Sequence, residues 1–307
     1  MLSSFVTIYA RRLFVDRAAK RVLELVVVCS GLILLIIAGT LYFRSLPVHG
    51  QAHWGSLLMS REWHPSRGQF GFLPFIAGTL WVTGVAMVLA VPVCLLMAIY
   101  LVEYAPRFLR EGINPLIDIL AGIPSVVYGM WGVLVIVPFV KNYLAPWFGV
   151  SSSGYSIIAG GMVLAVMVVP GIIHITMEVL KSVPQELRDA SLALGATKWQ
   201  TIKNVVTRRA MPGMVAAIVL GLSRAFGETI AVLMVVGNVA RVPGSIFDPA
   251  YPLPALIANN YGEMLSIPMY DAALLFAALI LLLVVLYFNV VSRLILSGTK
   301  WSSYYYG

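Results

Sequence analysis

Six long apolar runs, near residues 22–43, 73–102, 113–140, 155–180, 211–236 and 272–293, constrain this chain more than any other feature. A helix rises about 1.5 Å per residue, so about 20 apolar residues cross a hydrocarbon core about 30 Å thick. In lipid the backbone must satisfy its own hydrogen bonds, which leaves only helices and closed barrels as spanning structures. Barrel strands alternate apolar and polar side chains, whereas these runs are apolar throughout. The expected fold is therefore all-α, a polytopic membrane protein with six transmembrane helices. Only 11% of the residues are charged and 60% are hydrophobic, against about 25% charged in soluble domains.

Proline marks two irregularities. Gly122-Ile123-Pro124 predicts a break or kink at Pro124, because proline lacks an N–H and clashes with the preceding turn. Pro92 predicts a bend in the second run. An even number of spans puts both termini on one side. Fifteen Lys and Arg residues fall on that side, among them Arg11, Arg107, Lys181, Arg209 and Arg293, while Arg44, Arg61, Arg67, Lys141 and Arg241 fall on the other. The richer side is expected in the cytoplasm. The chain then divides into a cytoplasmic segment 1–21, a first span 22–43, an external loop 44–72, a core 73–293 with a cytoplasmic loop 181–210, and a cytoplasmic tail 294–307. The first run is longer than a signal-peptide core and has no small-residue cleavage site before Arg44, so it reads as a retained helix. The net charge of +8 follows from the loop bias and requires no nucleic-acid partner. Cys29 and Cys94 each fall inside a run and indicate neither a disulfide framework nor a metal site.

Within MPGMVAAIVLGLSRAFGETIAVLMVV, residues 211–236, the only charges are Arg224 and Glu228. A charge at bilayer depth costs about 2.5–3.5 kcal/mol on insertion scales, and such residues usually face an internal pathway. Their i,i+4 spacing places both on one helix face, where they can neutralise each other. The alternative is a structural ion pair that fixes helix packing.

The loop SVPQELRDASLALGATKWQTIKNVVTRRAMPGM, residues 182–214, reads as two short helices joined at Leu194-Gly195-Ala196. Such a knob can be gripped by another protein, or its apolar residues Leu187, Ala190 and Leu194 can pack on the rest of the chain. Asp189-Ala190-Ser191, three residues and Gly195 resemble the coupling-helix motif of ABC importer permeases, commonly Glu-Ala-Ala-x3-Gly. Asp189 and Ser191 depart from that pattern, and Thr207-Arg208 stands where Leu-Pro is often found. GIPSVVYGMWG at 122–132 and GLSRAFGETIAVLMVVGN at 221–238 resemble the permeases of phosphate-specific ABC importers, in their C-type subunit.

The resemblance, which runs from about the second span to the end, implies a type I ABC importer permease in the bacterial cytoplasmic (inner) membrane. It implies that Glu186, Asp189, Ala190, Ser191 and Gly195 couple to a separate ABC ATPase subunit, and that Arg224 and Glu228 lie on the phosphate pathway. Arg is always cationic and its planar fork matches phosphate oxygens. Glu228 would hold Arg224 neutralised until an anion arrives, which avoids an over-tight site. The other implied partners are a second permease of the A-type, giving a heterodimer, an extracytoplasmic phosphate-binding protein and membrane lipid. No cofactor or metal is implied. The chain has no G-x-x-x-x-G-K-[ST] phosphate loop and its loops are too short for a nucleotide-binding domain, so it is not itself expected to hydrolyse ATP.

Rival readings are a sulfate or molybdate permease, or an ion-coupled secondary transporter that uses Arg224 and Glu228 directly but leaves the loop unexplained. A membrane-embedded enzyme lacks any nucleophile–base or metal constellation. His174 and Glu178 are i,i+4 but have no third ligand at sensible spacing. His49, His53 and His64 share one loop and read as solvated, and Asp118 reads as a helix-terminal residue. The methionines read as packing residues, and Trp301 with Tyr304-Tyr305-Tyr306 as an interfacial tail. Residues 44–72 and 237–271 are long enough to cover the outer mouth of a pathway or receive a soluble partner.

Overall fold

The computed structural model describes the backbone of residues 2–49, 54–262 and 269–303, and the side chains of 15–48, 54–262 and 269–294. His53 and Tyr304-Tyr305-Tyr306 lie outside the described residues, and the side chains of His49 and Trp301 are likewise not described. Among the described residues six helices are long and apolar enough to cross a membrane: Val15–Val48, Leu73–Tyr104, Ser125–Trp147, Ile157–Lys181, Lys198–Gly227 and Tyr270–Leu294. These are spans one to six.

Three expected boundaries change. The first helix runs Leu2–His49, so residues 44–49 continue it instead of opening the external loop. The third run merges two elements. Residues 113–122 belong to an amphipathic helix, Arg107–Gly122, and Ile123 and Pro124 are extended, with ψ of 128° and 144°, before span three starts at Ser125. Proline drives its predecessor out of the helical region, and Arg107, Arg110, Glu111 and Asp118 give the preceding helix its polar face. The fifth span begins earlier and ends earlier than 211–236. The last third of the expected run is replaced by a break at Glu228 and Thr229 and a short helix, Ile230–Val235.

Spans two and four make the most extensive pairing in the molecule. Gly161 permits it, since a Cβ there would sit 2.5 Å from Val85 Cγ1. Gly161→Val overfills this seam, and overpacking costs about 1–3 kcal/mol. The expected result is a lower unfolding temperature in detergent; an unchanged one would contradict so close a contact. Span one packs chiefly against span six and leaves its most apolar stretch unburied by the rest of the chain. Leu25, Val27, Leu35 and Ile36 are accordingly exposed.

Segments 54–72 and 237–262 lie at one end of the bundle and are ordered structures rather than plain connectors. Trp63 begins a two-stranded hairpin, Trp63–His64 paired with Gln69–Phe70. Its ring meets Phe75 at 4.8 Å and Phe72 at 5.4 Å, centroid to centroid. In the second segment the Leu253 N–H donates to Thr79 Oγ1 at 2.8 Å, fastening it to span two. The loop between spans four and five lies at the opposite end.

Candidate functional site

Arg224 sits in the last turn of span five, with its side chain exposed. The helix stops at Gly227, and Glu228 is extended (φ −73°, ψ 127°). The expected i,i+4 pairing is therefore corrected: it needs both residues on one helix, and the break removes Glu228 from that face. No ion pair joins Arg224 and Glu228 among the described residues. Each charge instead lies at the helix end whose dipole suits it. Arg224 lies near the negative C-terminal end of span five. The Glu228 carboxylate lies at the start of the short helix, where Oε1 is 3.5 Å from the Ala231 N–H.

Tyr128 lies in the start of span three, which packs on the short helix that follows this break. It lies one turn into span three, is 6% exposed, and donates its hydroxyl to Leu120 O at 2.8 Å. The short helix packs on the start of span three, and the absent side chain of Gly129 admits Ala231 and Met234 there. The break between Gly122 and Ser125 and the break after Gly227 are thus brought together. Ser223 also donates to Asn289 Oδ1 of span six at 3.3 Å. Tyr128 carried a signal only through GIPSVVYGMWG, where Tyr128-Gly129-Met130-Trp131 supports the C-type resemblance, and not as a site residue. Asn289 stands out in the sequence as a lone amide within a long apolar run.

The residues of the loop between spans four and five form a single helix, Gln185–Ala193, a turn, and then the start of span five itself. The second short helix expected after Thr197 is not separate. Thr197 and Gln200 form a capping box, with Thr197 N–H donating to Gln200 Oε1 at 2.9 Å and Gln200 N–H to Thr197 Oγ1 at 3.3 Å. The helix then continues through a π-helical turn, Ile202–Val206, into the rest of span five. The turn is a Schellman closure, in which Gly195 N–H donates to Leu192 O and Ala196 N–H to Ser191 O. Gly195 takes φ +83°, and nothing lies within 4 Å of where its Cβ would be. The glycine is needed for its backbone conformation, not for space. Ser191 Oγ and Thr201 Oγ1 are 2.9 Å apart and link the loop helix to span five.

Leu187, Ala190 and Leu194 do not pack on the rest of the chain. Leu194 is 89% exposed, and Glu186 and Asp189 are exposed beside it. A cleft of about 1030 Å³ lies between this helix and the ends of spans two and five, lined by Glu103, Glu186, Arg188 and Lys198 among others.

The remaining polar residues of the membrane region are paired differently from their sequence spacing. His174 Nε2 lies 2.9 Å from Asp118 Oδ1, an ionic contact when the imidazole is protonated, although its angle does not make a hydrogen bond. Asp118 therefore faces span four instead of serving only its own helix end. Glu178 pairs with Lys181 at 2.9 Å. No group of three potential metal ligands occurs among the described residues.

Residues 90–300 match the family of binding-protein-dependent transport system inner membrane components. The chain is 38% identical over 255 residues to a phosphate transport system permease protein PstC of Xylella fastidiosa (strain 9a5c), covering 78% of each chain. It is 39% identical over 241 residues to a probable ABC transporter permease protein YqgH of Bacillus subtilis (strain 168), covering 78% of this chain and 76% of the relative. Its fold resembles that of a chain in the crystal structure of a bacterial alginate ABC transporter in complex with its alginate-bound periplasmic protein. The TM-score there is 0.61 at 18% identity, over 93% of this chain and 98% of the other. With its six membrane-length helices and a family match over most of its length, the chain belongs to the binding-protein-dependent transport system inner membrane components, as a multi-pass protein of that membrane.

Proposed function

We propose that this chain is the C-type permease of an ATP-driven phosphate importer. The observation that carries the substrate is Arg224, an exposed guanidinium at the break that ends a membrane-length helix, with no ion pair to occupy it among the described residues. An Arg fork matches phosphate oxygens. The start of a broken span, here span three beside Tyr128, favours an anion by its dipole. Relatives that carry a phosphate transport name support the same substrate.

The loop helix at Gln185–Ala193 is the surface for a separate ABC ATPase, through Glu186, Asp189, Ala190, Ser191 and the turn at Gly195. Its exposed leucines support this, because an apolar surface beside charges is suited to a partner. The end carrying it lies in the cytoplasm, together with both termini. An A-type permease completes the pathway, and an extracytoplasmic phosphate-binding protein delivers substrate to the opposite end. Pro124 separates the amphipathic helix from span three and lets the two reorient relative to each other.

Uptake of labelled phosphate at low external concentration, in cells that lack this gene and any second importer, tests the assignment. Deletion is expected to abolish high-affinity uptake and the wild-type gene to restore it. Excess sulfate or molybdate should not compete, and collapse of the proton gradient with ATP maintained should leave uptake intact. Unchanged phosphate uptake on deletion would reject the substrate.

A further inference from the structure

One nearly buried ion pair fastens the loop helix to the membrane spans. Arg188 Nη2 lies 2.9 Å from Glu103 Oε1, and the two side chains are only 12% and 8% exposed. The same Nη2 donates to Leu180 O at 2.9 Å, and Nη1 donates to Val183 O. Arg188 thus joins carbonyls at and just beyond the end of span four to a carboxylate from span two. A surface ion pair contributes little, but removing one partner of a pair this enclosed strands the other charge.

Glu103 belongs to a π-helical turn, Tyr100–Tyr104, at the end of span two. Such turns interrupt the regular ladder, and others among the described residues lie at Gly132–Ile136, Val140–Leu144 and Ile202–Val206. Three cations meet this turn from three elements. Arg188 reaches it from the loop helix. Lys198, at the start of span five, lies 4.6 Å from the Tyr104 ring centroid. Arg110, on the amphipathic helix, donates to Leu101 O at 2.8 Å and to Val102 O at 3.0 Å. That helix supplies the Leu120 carbonyl that accepts from the Tyr128 hydroxyl. Polar contacts therefore join the loop helix, the end of span two, the amphipathic helix and the start of span three.

We propose that Arg188 is a positioning residue of the coupling step, joined to Glu103 so that the loop helix and the π-helical end of span two move as one piece. The proposal rests on the reading of the loop helix as the ATPase-docking surface. Arg188 touches neither substrate nor the exposed face of that helix. Its loss is therefore expected to separate ATP hydrolysis from transport without releasing the ATPase.

The test uses the complete transporter, permeases with ATPase and binding protein, reconstituted in vesicles. ATPase retention, ATP hydrolysis and labelled phosphate uptake are measured on the same preparation. Arg188→Gln and Glu103→Gln should each retain the ATPase and continue to hydrolyse ATP, with phosphate moved per ATP reduced about tenfold, within the range for residues along a coupling network. The double variant should be no worse than Arg188→Gln alone, because the pair acts as a unit. Wild-type uptake per ATP in both single variants, additive losses, or equal falls in hydrolysis and uptake would each overturn the proposal. Should Arg188→Gln fail to reach the membrane, Glu103→Asp keeps the charge but withdraws it by one methylene. A wild-type ratio of uptake to hydrolysis in that variant would overturn the proposal equally. Leu194→Asp is the reference for docking. If it retains the ATPase and full uptake, the docking reading fails, whatever Arg188 does.

Discussion

Arg224→Ala is expected to lower the initial rate of phosphate uptake about 10- to 100-fold at equal membrane level, the equivalent of one hydrogen-bonded interaction with a charged group. Arg224 is exposed at the end of span five and is not committed to Glu228. Its removal therefore strands no buried carboxylate, and the protein should still accumulate. Arg224→Lys should fall between the two, since an ammonium keeps the charge but loses the planar fork. Glu228→Gln should be milder than Arg224→Ala, because its carboxylate serves the first turn of the short helix through the long contact to Ala231. Rates measured over a range of phosphate concentrations decide the matter. An unchanged rate for Arg224→Ala would remove the residue from the pathway and leave it a packing role.

Substitutions at Gly195 should rank by backbone conformation and not by size. The φ of +83° costs an ordinary L-residue about 1–2 kcal/mol. Asparagine tolerates that region, and β-branched residues do so least. Gly195→Asn is therefore expected to keep most ATPase binding and uptake, Gly195→Ala to lose part, and Gly195→Val to lose the most. Open space around the missing Cβ excludes a steric origin within this chain. ATPase co-purification from membranes, scored beside uptake, gives the order. Equal losses for Asn and Val would mean that the partner tolerates no side chain there, and the turn conformation would not be the reason for the glycine.

The six spans were legible because their length and unbroken apolar character leave few alternatives in lipid. Spans two, four and six match their expected limits closely. The third and fifth misled for opposite reasons. Ile113 to Gly122 is apolar enough to join the following run, although Pro124 separates the two. Thr197 to Arg209 is polar enough to read as loop, although the Thr197–Gln200 capping box starts the very helix that crosses the membrane. Periodicity within one helix also proposed the Arg224–Glu228 pairing and the kinship of His174 with Glu178. Both were redirected by features that spacing does not report. A break at Gly227 separates the first two, and Asp118, more than fifty positions away in sequence, meets His174 across a helix interface. Arg188 was legible only as one basic residue of a loop, since Glu103 lies on another element.

Span five has one further consequence. From the Thr197 capping box to Gly227 it is helical for 30 residues, about 45 Å at 1.5 Å per residue, with a π-helical turn at Ile202–Val206 and Pro212 toward the loop end. One end adjoins the loop helix, and the other carries Arg224. The joint at Glu228 and Thr229 comes only after that. Beyond Pro212 the helix continues to Gly227 with no further π turn or proline, so a tilt that passes this bend is carried to the guanidinium. That stretch is a lever arm ending at Arg224, and the joint beyond it separates the arm from the short helix packed on span three.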